Sequence, residues 1–177
     1  MHKNNGSGNN RFNTRRLAAC GLLTAADVVL TRLLAINTPI MKIGLGFFAV
    51  AVCGALYGPV WAAICGGTAD LIGSLLFPTG AYFPGFTLTA ALTGVIFGTL
   101  LRPFFKPKAL AAAAMNSICV SFLANTFMIS YITGSPYKEL LLARAVQLLV
   151  MLPLQAVLLI LVLPAVLKRI RKSEKQH

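Results

Sequence analysis

Apolar and polar positions alternate along this chain in long blocks rather than residue by residue. Six apolar stretches follow one another, and the breaks between them contain proline, glycine, asparagine or basic residues. About 20 residues cross a bilayer as a helix, and none of the stretches shows the period-two alternation of a membrane strand. The pattern therefore predicts an all-α integral membrane protein with six transmembrane helices, at about 16–36, 42–57, 60–77, 86–101, 109–132 and 137–167.

Composition supports a membrane protein and excludes a soluble domain. Of the 177 residues, 57% are hydrophobic and only 11% are charged, and the mean hydropathy is +0.77. The net charge of +12 could indicate nucleic-acid binding, but the basic residues lie at the ends and between apolar stretches, without interleaved aromatics. We predict a mobile polar tail over 1–14, a six-helix transmembrane domain over 15–170 and a basic tail over 171–177.

The basic residues also predict the orientation in the membrane. Placing the amino terminus in the cytoplasm leaves only Arg32, Lys42 and Lys138 on the opposite side. Lysine and arginine are enriched in cytoplasmic segments, so both termini are predicted to be cytoplasmic in a multi-pass protein of the cell membrane. On the cytoplasmic side this places Lys3, Arg11, Arg15, Arg16, Arg102, Lys106, Lys108 and the cluster at 168–175.

Motifs for catalysis are missing from the sequence. There is no nucleophile paired with a base, no phosphate-binding loop and no zinc-ligand spacing, and the two histidines are terminal. The four cysteines are scattered through apolar stretches, which favours buried small side chains over disulfides or a metal site. We therefore predict a protein that is not an enzyme and has no metal or cofactor.

An acidic residue inside an apolar stretch marks the strongest candidate site. Asp70 lies within the third predicted helix, and a charge-free loop rich in proline and aromatics follows at 78–85. An ionisable residue at membrane depth is a site hypothesis by default. The alternative is that Asp70 pairs with an internal cation such as Arg144, which lies about two turns inside the sixth helix.

Other polar and aromatic residues gather at the predicted outer side. Together, the cations, the acid, the aromatics and one amide suit the binding of a flat, partly polar, anionic small molecule. The candidate binding residues are Arg32, Lys42, Asp70, Tyr82, Phe83, Phe86, Asn125 and Arg144.

Two stripes of small residues predict close helix packing. Ala90, Gly94 and Gly98 follow i, i+4, i+8 spacing on the fourth helix and are interpreted as a helix-packing surface. On the first helix, Ala18, Gly21 and Ala25 share one face. That stripe is compatible with packing inside the chain or with docking of a partner subunit, and the residues alone leave both open.

Five segments carry a family resemblance through their order and spacing. In that order they resemble the folate-family S components of energy-coupling factor (ECF) vitamin transporters, and the PTGAYFPGF loop favours folate over other vitamins. The segments are Leu30–Ile36, Lys42–Phe47, Tyr57–Pro59, Ala69–Gly73 and Pro78–Leu88.

The resemblance implies a membrane subunit that captures folate from outside. It implies docking through Ala18, Gly21 and Ala25 onto a transmembrane coupling subunit that carries two ATPase subunits. Asp70 would bind the pterin, aromatic residues would stack on the rings, and the cations would hold the glutamate carboxylates. Open alternatives are an S component for riboflavin, thiamine, biotin or pantothenate, and a structural membrane protein that does not transport.

Overall fold

The computed structural model describes residues 14–37, 42–78, 82–102, 104–134 and 137–174. Within these ranges the fold is an all-α bundle of six continuous helices, as predicted. The helices are α1 (Thr14–Val28, continued by π-helical Val29–Leu33), α2 (Gly46–Tyr57), α3 (Pro59–Leu76), α4 (Pro84–Leu100), α5 (Lys106–Met115, π-helical Asn116–Ala124, Asn125–Thr133) and α6 (Tyr137–Val157, π-helical Leu158–Val162, Leu163–Glu174).

A short antiparallel pair joins α1 to α2, which the sequence analysis did not predict. β1 (Ile36–Asn37) pairs with β2 (Lys42–Ile43), with Ile36 opposite Ile43. The helix α1 ends at Leu33, earlier than the predicted boundary near Ile36, because residues 36 and 37 are extended in β1.

Proline and glycine set several helix boundaries. Pro59 and Pro84 lie in the first turn of α3 and α4, where a missing N–H removes no intrahelical bond. Gly58 precedes α3 with φ of +92°, a conformation that disfavours other residues. In α6, Pro164 follows the π-helical segment Leu158–Val162, whose wider turn accommodates the missing bond.

The bundle buries small side chains and exposes large apolar ones. Ala51, Cys53 and Ala62 are fully buried, whereas Leu22, Leu75 and Leu149 are more than 70% exposed. Among the residues that the structure describes, three helices are long and apolar enough to cross a membrane: Pro59–Leu76, Lys106–Tyr131 and Arg144–Ile170. An apolar outer surface around a core of small residues is the arrangement expected of helices packed in lipid.

The predicted stripe on α4 packs inside the chain, against α2 and α3. A side chain at Gly94 would collide with the backbone of Ala62, and one at Gly98 would collide with Pro59. The Ala90 carbonyl lies close to Gly66 in the same way. The predicted packing contact is therefore confirmed, and its glycines are required by the close approach of the two backbones.

The shortness of α2 determines where the bundle opens. Twelve residues of helix span about 18 Å, less than the roughly 30 Å of bilayer hydrocarbon. Gly44 and Leu45, directly before α2, are non-helical, and in a membrane protein such backbone is tolerated where it lines a cavity. A cavity is found at this point of the bundle.

Candidate functional site

A polar pocket of about 510 Å³ lies between the helices at the end of the bundle that carries β1 and β2. Its volume falls in the range of about 300–1,000 Å³ common for small-molecule sites. All six helices contribute to its wall. Of the eight predicted binding residues, seven line this pocket: Arg32, Asp70, Tyr82, Phe83, Phe86, Asn125 and Arg144.

Lys42 is the eighth predicted binding residue. Its backbone lies in β2, opposite Asn37. Its side chain, like that of Lys138, lies outside the part of the structure that is described. The role of Lys42 therefore stays a prediction.

Asp70 pairs with a cation, and that cation is Arg32 rather than Arg144. Arg32 Nη2 lies 3.6 Å from Asp70 Oδ1. The Thr87 hydroxyl donates to Asp70 Oδ2 at 2.9 Å, which leaves the Tyr82 hydroxyl, 3.0 Å away, as the donor to Thr87. A chain of hydrogen bonds thus connects the loop residue Tyr82 to the carboxylate of Asp70.

Arg32 holds the other end of the same loop. Its Nη1 donates to the Phe77 carbonyl at 3.4 Å, at the point where α3 ends. A Cβ at Gly73 would come within 2.8 Å of Arg32 Nε, so the glycine makes room for the guanidinium against α3. Asp70 and Arg32 therefore connect α1, α3 and both ends of the loop between α3 and α4.

Arg144 has a different environment from Arg32. It projects from α6 into the pocket wall and is partly buried. Among the described residues, no carboxylate lies within ion-pair distance of its guanidinium. A partly buried cation of this kind favours an anionic ligand, because leaving it uncompensated is costly.

A network of amides and hydroxyls forms the deeper wall of the pocket. Thr93 donates to Asn116 Oδ1 at 2.9 Å, and Asn116 Nδ2 donates to Gln155 Oε1 at 3.3 Å. Ser117 also donates to Gln155 Oε1, at 3.0 Å. This network connects α4, α5 and α6 and presents polar groups to the cavity.

Asn125 makes a separate hydrogen-bonded contact with α4. Its Oδ1 accepts a hydrogen bond of 3.1 Å from Thr89, which is buried on α4. Sequence reasoning selected Asn125 but missed Thr87, Thr89 and Thr93. The detectable signal was three hydroxyl residues within seven positions of a largely apolar helix.

Aromatic side chains line the pocket beside the loop. Phe83 and Phe86 approach edge to face, with ring centroids 6.3 Å apart, and Tyr131 lies 6.4 Å from Phe83. Both phenylalanines also line the cavity. Flat aromatic rings of a ligand can stack on such a wall.

A second acid, Asp27, lines the pocket from α1. It is buried, and its Oδ1 accepts a 2.8 Å hydrogen bond from Thr31, one turn later. Gly46, at the start of α2, packs directly against both of these side chains. The sequence analysis did not include Asp27 among the binding residues.

An apolar groove of about 600 Å³ runs between α1 and α3, on their other faces. Gly21 and Ala25 line it, and a side chain at Gly21 would meet nothing within 4 Å. Ala18 is also exposed on α1 but does not line the groove. In the described part of the chain, then, the small-residue stripe of α1 is open, in contrast to the stripe of α4.

The sequence model of a family described as "ECF-type riboflavin transporter, S component" matches residues 11–172, which is most of the chain. The chain belongs to the S-component family of ECF-type transporters. This confirms the resemblance read from the sequence, and it makes this S component a subunit of a membrane transporter.

Two of the relatives are named as folate transporters. The folate transporter FolT of Clostridium novyi (strain NT) is 38% identical over 135 residues, covering 75% of this chain and 78% of the relative. FolT of Leuconostoc mesenteroides is 30% identical over 87 residues, covering 49% and 46%.

A solved structure supports the same fold. The crystal structure of FolT bound with folic acid matches with a TM-score of 0.75 and 28% identity, covering 84% of this chain and 91% of that one. The six-helix S-component fold is thereby confirmed. Within the described ranges of this S component, no group of three or more His, Cys, Asp or Glu side chains is arranged to hold a metal ion.

Proposed function

We propose that this S component binds folate in the polar pocket and delivers it across the membrane as part of an ECF transporter. The observation that carries the proposal is the pocket of about 510 Å³ itself, which combines an aromatic wall, a hydrogen-bonded carboxylate and a partly buried arginine. Folate has matching parts: a pterin with donor groups, aromatic rings and an anionic glutamate. The names of the relatives support the same ligand.

Riboflavin is the second candidate, because the matching family model carries that name. Riboflavin has no carboxylate, whereas two arginines line this pocket. Arg32 already contacts Asp70, whereas Arg144 has no ion-pair partner among the described residues, so Arg144 is the cation that a neutral ligand would leave uncompensated. The charge of the pocket therefore favours folate over riboflavin.

The side chains can be assigned to parts of the ligand. Asp70 accepts hydrogen bonds from the amino group and ring N–H of the pterin, each worth about 1.5–3 kcal/mol when charge-assisted. Phe83, Phe86 and Tyr82 contact the rings. Arg144 binds a glutamate carboxylate, with Lys42 as a second cation, and Asn125 contributes a polar contact at the side.

Docking and orientation complete the proposal. Ala18, Gly21 and Ala25 form the face of α1 that meets a transmembrane coupling subunit, which in turn binds two ATPase subunits. The openness of the α1 stripe supports this assignment, since a helix can approach a row of small residues closely. In this proposal both termini lie in the cytoplasm and the pocket faces outward, which the distribution of basic residues along the chain supports.

Calorimetric titration of the detergent-purified protein tests the ligand. Folate and reduced folates are expected to bind tightly and to raise the thermal unfolding midpoint, because a ligand at about 100 times its Kd stabilises the folded state by about 2.7 kcal/mol. Riboflavin, in the same titration, is expected not to compete. Tight riboflavin binding without folate binding would overturn the assignment, and protection by neither vitamin would favour a structural role.

A further inference from the structure

Three buried thiols meet where α1, α2 and α3 cross, away from the polar pocket. Cys20 and Cys53 are in contact, with their Sγ atoms 3.7 Å apart. Cys65 on α3 is buried in the same apolar cluster. The sequence shows only cysteines far apart in the chain, and folding brings them together.

The apolar groove gives access to this cluster from one side. Cys20 and Cys65 line the groove, together with Thr24, Trp61 and Ile64, whereas Cys53 lies behind them and is fully buried. The groove wall is predominantly apolar. A lipid-soluble reagent can enter it, and a charged reagent is excluded from such a surface.

Contact with Cys53 distinguishes the two thiols that line the groove. The Thr24 hydroxyl donates to the Cys20 carbonyl at 2.8 Å and lies 3.4 Å from the sulfur of Cys65. The Cys20 sulfur, in contrast, lies 3.7 Å from the sulfur of Cys53. Cys20 is therefore the thiol that can attack a reagent in the groove with a second thiol in contact behind it.

We propose that Cys20 and Cys53 form an oxidisable dithiol site, which apolar organic disulfides reach through the groove and convert to a disulfide bond between α1 and α2. The two sulfur atoms must approach from 3.7 Å to about 2.05 Å, a shift shared by two side chains. The resulting bond closes a loop across 33 positions of sequence.

The reaction is two successive thiol–disulfide exchanges. Cys20 attacks one sulfur of the reagent, a Cys20–reagent bond forms, and the first half of the reagent leaves as a thiol with the proton of Cys20. Cys53 then attacks the Cys20 sulfur, the Cys20–reagent bond breaks, and the second half leaves with the proton of Cys53. The two cysteines lose two electrons in total, and the reagent is reduced to two thiols.

The test uses the full chain carrying Cys119→Ala, which removes the exposed thiol and retains the three buried ones. The probe is 2,2′-dipyridyl disulfide at one equivalent, with thiopyridone release followed by absorbance. We expect two thiopyridones for each reagent consumed, loss of two free thiols, and a Cys20–Cys53 linkage in peptide mass spectra. Adding Cys65→Ala is expected to leave these results unchanged.

Two further variants identify the roles of the thiols. With Cys53→Ala, the reaction is expected to stop at a mixed disulfide on Cys20 with one thiopyridone released, and with Cys20→Ala the Cys20–Cys53 linkage is lost. Thermal unfolding of each variant checks that the fold is retained. A Cys53–Cys65 linkage, a persistent adduct on Cys20 in the presence of Cys53, or no reaction until the protein is denatured would each overturn the proposal.

Discussion

The polar pocket and the apolar groove share two helices and differ in chemistry. On α3, Gly66 and Asp70 face the pocket, whereas Ile64, Cys65 and Ile72 face the groove. On α1, the end near Arg32 lines the pocket, and the stretch from Leu17 to Val29 contributes the groove wall. The polar pocket combines charges, amides and aromatics, whereas the apolar groove contains a row of small residues.

This difference separates two functions on one pair of helices. The pocket is built to hold a small polar molecule, and the groove offers close approach to another helix or to lipid. The helices α1 and α3 line both the pocket and the groove. The ion pair between Arg32 and Asp70 joins these two helices. Variants in the polar pocket should therefore affect ligand binding, and variants in the apolar groove should affect assembly.

The largest expected effect is on the pocket, from Arg144→Ala. Truncating one partner of a buried charge pair typically costs 2–5 kcal/mol, so folate affinity should fall by about 100-fold. The fold should survive, because Arg144 has no ion-pair partner among the described residues. Calorimetry measures the affinity, and Arg169→Ala, at an exposed position on the same helix, is the matched control. An unchanged Kd would mean that Arg144 does not contact the ligand.

The groove is tested by Gly21→Leu. The open space at Gly21 admits a leucine without unfolding the bundle, but the side chain blocks close approach of a second helix. Folate uptake by vesicles containing the whole transporter should fall by about tenfold, with an unchanged Kd for the isolated subunit. Ala111→Leu, at an exposed position on α5, is the control for adding bulk to the surface. Equal uptake by the Gly21 and Ala111 variants would argue against docking on this face.

Asp70→Asn tests whether the carboxylate of Asp70 contacts the ligand. The substitution replaces charge-assisted hydrogen bonds by neutral ones, a loss of about 1.4 kcal/mol or about tenfold in folate affinity. It also removes the ion pair with Arg32, so the thermal midpoint of the unliganded protein should fall slightly. A lower midpoint with an unchanged Kd would assign Asp70 to stability alone.

The contrast between the two small-residue stripes shows what the sequence can and cannot predict. Spacing predicted close packing on both α1 and α4, because small residues at helical intervals allow backbones to approach. On α4 the partner is within the chain, next to Ala62 and Pro59, and on α1 the groove is open. The spacing does not indicate which helix packs against a stripe, so the residues alone could not decide between packing within the chain and docking of a partner subunit.

The candidate site, like the packing of the helices, could be predicted only in part. An acid and an arginine at membrane depth stand out because burying a charge is costly, and both Asp70 and Arg144 line the pocket. The contacts that Asp70 makes within the chain could not be predicted. The ion pair with Arg32 and the hydrogen bond from Thr87 depend on how α1, α3 and α4 pack, and a threonine is common enough in membrane helices to carry no signal by itself.

The smallest expected effect comes from Thr87, which holds Asp70 but does not line the pocket. Thr87→Val keeps the shape and removes the hydroxyl that joins Tyr82 to Asp70, a loss of about 0.5–1.5 kcal/mol. Folate affinity should fall by about threefold, and Thr87→Ser should restore it, because serine keeps the hydroxyl. The effect should vanish when Thr87→Val is combined with Asp70→Asn, since the two side chains act through one contact. Additive losses in the double variant, measured by calorimetry, would show that Thr87 acts on the ligand independently of Asp70.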